Sequence, residues 1–320
     1  MAFYKIWIPS KQHYVRFKEI DCEQYRDILK SVDDDSDFEY NINYILQNNC
    51  CSKEFLLKDH TIIDRFVILL QLKIHSCGSK LNLTRICDKC DTKTDFSIDL
   101  NQLIDELAKN IDCSFEKNFQ INDFSVLCDV PCVGNQDSHQ FDKTDLNKRI
   151  DFYLYSFIKS LRIGEKTINL DNFDFDQRNQ ICGNLPFSYI NTIKEFYVDQ
   201  IHKIFSDCMI KETICSNKEC ADILSIKFDF TSMTDVMKLL FRDSNNVNIL
   251  SQYANLSMNC HFDYDFYKNV CPAELMILDN LVRNSMKKEQ QEQNSNQDIN
   301  MFEQYKLNEP NMVESKSEFQ

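Results

Sequence analysis

The chain has only four glycines and five prolines in 320 residues. Those glycines form neither a phosphate-cradling loop nor a dinucleotide fingerprint, and no Gly-x-Ser-x-Gly elbow occurs. The common nucleotide-binding and hydrolase signatures, which need close backbone approach, are therefore missing. The six histidines (His13, His60, His75, His139, His202 and His261) are scattered and match no metalloprotease spacing. Positive charge is also short, with 36 Lys and Arg against 50 Asp and Glu, a formal charge of -14 and a pI near 4.9. Such a chain has no basic field to attract phosphates, so nucleic acid is not an expected partner. The longest apolar run, Ile62 to Ile74, is broken by Asp64, Arg65, Gln71 and Lys73 and is too short and polar to span a bilayer. The opening segment, Met1 to Pro9, has no cationic stretch followed by a small-residue cleavage site, so neither secretion nor membrane insertion is expected. Carboxylate pairs such as Asp33 with Asp35 and Asp263 with Asp265 read as solvated surface. Together these absences point away from an enzyme: no catalytic residues, cofactor-binding residues or small-molecule substrate are expected.

What is present favours a folded protein of two or more units. Hydrophobic residues make up 43%, including 24 Phe and 13 Tyr, enough apolar surface to offset chain entropy. The 15 cysteines are an odd number in a chain too large to need disulfide stapling, so they read as reduced thiols. Cys50, Cys51, Cys77, Cys182 and Cys208 lie near apolar residues, as small buried hydrophobes do.

Strand-like stretches at residues 3–8 and 13–19 flank Pro9-Ser10 and predict a hairpin. Asp21 caps a helix, and a second helix is expected from Phe38 to Leu46. Thr61 caps a helix from Ile62 to His75 that is apolar on nearly all sides, as a central helix should be, and Gly78 ends it. A strand to Ile86, the turn Cys87-x2-Cys90, a strand with Phe96, Ile98 and Leu100, and a helix with Leu103 and Leu107 follow, and then strands between Phe119 and Cys128. Beyond a polar stretch at 134–144, a helix from Asp145 to Leu161, a Gly164 turn and a strand Thr167 to Leu170 are expected. Pro186 opens a long helix leading to Cys215-x4-Cys220, alternating Leu224, Ile226, Phe228 and Phe230, and a helix with Val236, Met237, Leu240 and Phe241. The first half's order thus returns in the second. The register agrees as well: Ile98-Asp99-Leu100 stands as far from Cys90 as Phe228-Asp229-Phe230 does from Cys220. Helices are expected at Val247 to Met258 and Pro272 to Met286, and the polar composition beyond Lys287 reads as a disordered tail.

The resulting expectation is an α+β protein of two related halves, each with a long buried helix and a cysteine-turn hairpin, plus a helical C-terminal region. The domain boundaries are 1–133, a linker 134–144, 145–242, 243–288 and a tail 289–320. The chemistry lies in the paired cysteines. Two thiolates on a tight turn grip half of a tetrahedral zinc, so Cys87 and Cys90 with Cys215 and Cys220 make one structural site if the halves face each other. Cys128-x3-Cys132 is an alternative completing pair, and turns that outlived a lost ion are another reading. A thiol redox motif is less apt, because such motifs open a helix and this one lies between strands.

The segment Leu57 to Leu107, with Asp64-Arg65 opening an apolar helix, Ser76-x-Gly78, Cys87-x2-Cys90 and Asp99-Leu100 before a helix, resembles the baseplate hub or central spike proteins of T-even-type tailed phages. The opening Ile8-Pro9-Ser10, followed by a strand and an acidic helix, is similar to their beginning. The resemblance covers the first third; the four-residue second cysteine spacing and the tail depart from the pattern. It implies a structural or assembly role in the tail baseplate, with hub and tape-measure proteins as partners, in the host cytoplasm during assembly or in the virion tail. The competing reading is a zinc-stabilised intracellular protein-binding module unrelated to phage tails.

Overall fold

The computed structural model describes residues 2–110, 117–121, 124–134, 156–205, 210–228, 230, 233–242 and 249–307. It is an α+β fold in which antiparallel sheets surround and extend a helical core. Strands β1 (Phe3–Ile8) and β2 (His13–Lys18) form the expected hairpin around a 3₁₀ turn at Pro9–Lys11. Helix α1 (Cys22–Ser31) begins with a reciprocal capping box between Asp21 and Gln24, and α2 (Asp35–Asn49) follows. Helix α3 (Ile62–Cys77) has its own box between Thr61 and Asp64 and stops at Gly78, whose φ of 96° suits glycine.

Helix α3 is the centre of the molecule. Its apolar residues from Ile62 to Leu72 are buried, and so are Asp64, Arg65, Lys73 and Ser76. Each polar residue in the helix attaches a neighbouring element. Asp64 accepts from the Ser10 N–H (2.8 Å) and hydroxyl (2.5 Å) and from the Thr61 N–H (2.9 Å). The Gln71 side chain accepts from the Trp7 N–H (3.0 Å) and donates to the Trp7 carbonyl (2.9 Å), as a neighbouring strand would. Ser76 Oγ accepts from the Ile20 N–H at 2.8 Å. Arg65 reaches α2 through Asn43 (3.3 Å) and Glu39 (3.8 Å). Lys73 donates to the Tyr25 hydroxyl at 3.3 Å and lies over the Tyr25 and Phe241 rings. The polar interruptions that rule out a membrane span are thus the joints of the core.

Strands β3 (Lys80–Ile86) and β4 (Lys93–Asp99) form the first cysteine hairpin, and α4 (Leu100–Asn110) returns to pack on α3. Strands β5 (Lys117–Ile121), β6 (Phe124–Cys128), β7 (Ile158–Ile163) and β8 (Lys166–Asn169) make a four-stranded antiparallel sheet in sequence order. Helices α5 (Phe175–Gly183) and α6 (Phe187–Phe205) follow, then the second cysteine hairpin, β9 (Ile210–Ile214) with β10 (Ile223–Lys227). Helix α7 (Met233–Leu239) packs on α3, with Phe230 edge-on to Phe66 at 5.4 Å. The chain then forms α8 (Ile249–Cys260), α9 (Tyr264–Asn269) and α10 (Pro272–Leu307). Among the described residues no helix is long and apolar enough to cross a membrane.

Four expectations need correcting. Ile158 to Leu161 are not the last turn of a helix but strand β7, where Leu161 pairs with Val126 and Ile163 with Phe124. Pairing with an open strand edge outweighs helical spacing in a segment with isoleucine at both ends; the expected helix from 145 to 155, like most of the 134–144 linker, lies outside the described residues. Strand β10 ends at Lys227, so Phe228 and Phe230 are buried beyond it rather than within it. Residues 289–307 continue α10 instead of starting a disordered tail, because Glu, Gln and Lys favour helix even without an apolar stripe. Cys51 is exposed and not a packing residue.

Two stability predictions follow from these joints. Burial alone would raise the Asp64 carboxyl, but hydrogen bonds from Ser10 and Thr61, with the His60 ring 3.7 Å away, outweigh it and hold the carboxyl below its ordinary value. A depressed folded-state value gives stability that is present above the unfolded value and lost as pH falls through the folded one. Urea unfolding should therefore show wild-type stability dropping below about pH 4, and Asp64→Asn should cost about 2–4 kcal/mol at neutral pH while flattening that acid limb. In the hairpins, Ala221 (φ 47°) and Asp91 (φ 54°) are left-handed. Ala221→Gly should stabilise by roughly 0.5–1 kcal/mol, and Asp91→Gly by less, because Asp tolerates this region better than Ala.

Candidate metal centre

Each cysteine pair is carried by the loop of a two-stranded hairpin, and the loops close in the same way. The Cys87 N–H donates to the Thr92 carbonyl (3.0 Å) and the Cys215 N–H to the Asp222 carbonyl (2.8 Å), in each case two residues past the second cysteine. The residue directly after that cysteine, Asp91 or Ala221, is left-handed in both. The longer second spacing is therefore absorbed between Cys215 and Cys220, where Ala221 and Cys220 donate to the Asn217 carbonyl. Beyond the loops the likeness continues: Thr94 and Leu224, Ile98 and Phe228, Leu100 and Phe230, Leu103 and Met233, and Leu107 and Met237 are buried at equal distances from Cys90 and Cys220. Asp229, which took part in the sequence register, lies outside the described residues.

The two loops meet face to face. Cys87 Sγ lies 3.8 Å from Cys220 Sγ, Cys90 Sγ lies 3.5 Å from Cys215 Sγ, and all four sulfurs fall within 4.8 Å of one another. Four thiolates around a tetrahedral ion with metal–sulfur bonds of 2.3 Å would stand about 3.8 Å apart, whereas a disulfide needs about 2.05 Å. The spacing therefore suits ligation and not a preformed disulfide. Cys87 and Cys215 face the core, while Cys90 and Cys220 are half-buried. Lys89 pairs with Asp222 at 2.6 Å and Arg85 donates to the Ser225 carbonyl, joining one hairpin to the other beside the sulfurs. The Thr94 hydroxyl accepts from the Ser216 N–H (3.0 Å) and approaches Cys215 Sγ (3.9 Å).

The donor set has the electrostatics of a cation site. The Thr92 hydroxyl and N–H hold the Cys90 thiol down, to about 6. The Asp222 N–H favours a Cys220 thiolate, but burial and the neighbouring Cys90 and Cys87 sulfurs override it and push that thiol up to about 12. Four crowded sulfurs cannot all ionise without a compensating positive charge, and a divalent ion supplies one.

Other candidates separate from this group. Cys128 is buried in β6, and Cys132 sits at a backbone bridge to Thr61, so this pair does not complete the set. Burial pushes the Cys128 and Cys182 thiols up to about 12, as expected of packing residues; Cys208 lies outside the described residues. Asp35 contacts Lys238 and Asp263 caps α9, so both carboxylates do structural work that the sequence reading left to solvent. A second group, Glu19, Cys271 and Glu274, also has ligand atoms within 4.8 Å. Its carboxylates accept from backbone, Glu19 from Ala2 N–H (2.7 Å) and Glu274 from Cys271 N–H (3.3 Å). Nothing in the sequence marks it, because its members stand at opposite ends of the chain.

Comparison with curated proteins and with solved structures finds no match. A protein-family model described as T4 bacteriophage base plate protein matches residues 1–230, a span that includes both cysteine hairpins and the helix between them and the N-terminal strands. With most of its length matched, the chain belongs to the T4 bacteriophage base plate protein family.

Proposed function

We propose that this baseplate protein is a subunit of the central hub, or an assembly factor acting around the hub and tape-measure proteins, that works through protein contacts and catalyses no chemical step. We further propose that Cys87, Cys90, Cys215 and Cys220 hold one structural zinc. Family membership supports the first part, and leaves the idea of a binding module unrelated to phage tails without support. The observation that carries the second is the meeting of four sulfurs from loops 125 residues apart in sequence, at the separation a tetrahedral ion needs. All four positions belong to one hairpin pair that packs around the core, so the ion would fasten the two halves rather than act on a substrate. The site is assembled only when the halves are docked, which couples metal binding to folding. Assembly of such a subunit takes place in the host cytoplasm, before or as it enters the tail.

Protein purified under reducing conditions from zinc-supplemented culture should contain one zinc per chain by elemental mass spectrometry, and the variant with all four cysteines changed to serine should contain none. Each single Cys→Ser change should lower the unfolding midpoint by a similar amount, as should a strong chelator added to the wild type. A metal-free wild type would refute the zinc assignment. For the hub role, peptides of the chain should be found by mass spectrometry in purified tails or in hub-containing assembly intermediates; their absence from both would count against it.

A further inference from the structure

The sulfur contacts run between the hairpins. Cys90 approaches Cys215 at 3.5 Å and Cys87 approaches Cys220 at 3.8 Å, and the further thiol contacts of Cys90 with Cys220 and of Cys87 with Cys215 also cross from one loop to the other. Within each loop the two sulfurs also lie within 4.8 Å, but each loop is closed by a backbone hydrogen bond, Asp91 N–H to Cys87 carbonyl in the first and Cys220 N–H to Asn217 carbonyl in the second. One side of the group is open, since Cys90 and Cys220 are half-buried and the Lys89 and Asp222 side chains stand at its rim.

We propose that the four-cysteine group is a redox-convertible clamp: a peroxide oxidises it to the cross-hairpin disulfides Cys90–Cys215 and Cys87–Cys220, so the halves stay joined when the ion leaves. Release of zinc rests on the zinc reading above, whereas the pairing rests on the sulfur geometry alone. In each pair one thiolate attacks a peroxide oxygen, the O–O bond breaks, and a sulfenic acid forms with loss of hydroxide. The facing thiolate then attacks that sulfur, forming the S–S bond and expelling a second hydroxide. Both hydroxides take up protons to become water. Each disulfide thus uses two thiolates, one peroxide and two protons; two disulfides consume two peroxides and free one divalent ion with no change in its oxidation state. Sulfurs already 3.5–3.8 Å apart need only a modest approach to reach the roughly 2.05 Å of a disulfide.

The sequence allows a clean test, because Arg85, Lys89, Lys93, Lys211, Lys218 and Lys227 place each of the four cysteines on its own tryptic peptide. The full-length protein is treated with hydrogen peroxide while zinc release is followed with a chromogenic chelator; remaining thiols are alkylated, and the denatured protein is digested without reduction for mass spectrometry. The expected result is peptide Cys90–Lys93 joined to Glu212–Lys218 and peptide Ile86–Lys89 joined to Glu219–Lys227, with one zinc released per two peroxides. The Cys90→Ser, Cys215→Ser double variant should retain the Cys87–Cys220 link. Joined peptides within one loop, or sulfinic acids without joined peptides, would overturn the proposal. Cross-hairpin links in a protein that never contained metal would overturn the zinc assignment and uphold the pairing.

Discussion

Enclosure of α3 is the constraint on which the rest of the structure depends. A helix buried on every side hides its own backbone but also whatever polar side chains it carries, and an unpartnered buried polar group costs about 1–3 kcal/mol, more if charged. Asp64, Gln71 and Ser76 are therefore matched to the N-terminal strands and the segment that follows them, Arg65 to α2, and Lys73 to α1 and the end of the second unit. The satisfaction is incomplete at Arg65, whose Nε and Nη2 find no hydrogen-bond partner, Nη2 standing 3.8 Å from Glu39. Such matching makes the N-terminal hairpin part of the core rather than an appendage.

The same enclosure draws the second half of the chain inward. Helix α7 covers α3 and is held from the other side by α2, where Thr234 contacts Glu39 and Lys238 contacts Asp35. With α4 and α7 both seated on α3, their preceding hairpins are brought to a common edge, and the cysteine loops meet there. A two-stranded hairpin is marginal by itself. Here each is held at its base by a helix on the core and at its tip by the other hairpin, through sulfur contacts, Lys89 with Asp222 and Arg85 with Ser225.

Much of this was legible in the residues because local chemistry and tertiary demand agreed. The capping residues Asp21 and Thr61, the terminating Gly78, the all-round apolar pattern of α3 and both cysteine turns were readable for that reason. Repetition of order and register raises a face-to-face meeting of the turns as one arrangement, beside completion by Cys128 and Cys132 or turns that outlived a lost ion. Reading failed where long-range pairing decides the outcome. Ile158 to Leu161 have helical spacing but lie in an inner strand between β6 and β8, and Asp35 looks like one more acid in an acidic run until Lys238 is placed beside it. Helices α5 and α9 are short and carry weak apolar patterns, so only their capping Asp174 and Asp263 announce them. The Glu19, Cys271 and Glu274 group has no spacing to read.

The order in which the chain is made gives the cysteine group a history. The Cys90 position leaves the ribosome 125 residues ahead of its partner at Cys215. At synthesis rates of about 5–20 residues per second, the first loop waits roughly 6–25 seconds with two thiols on a tight turn and no facing sulfurs. During that interval the nascent chain is vulnerable to wrong ligands and wrong thiols. The group is therefore a late product of biosynthesis: it records that the last hairpin has arrived, and a truncated chain ending before Cys215 lacks half of it.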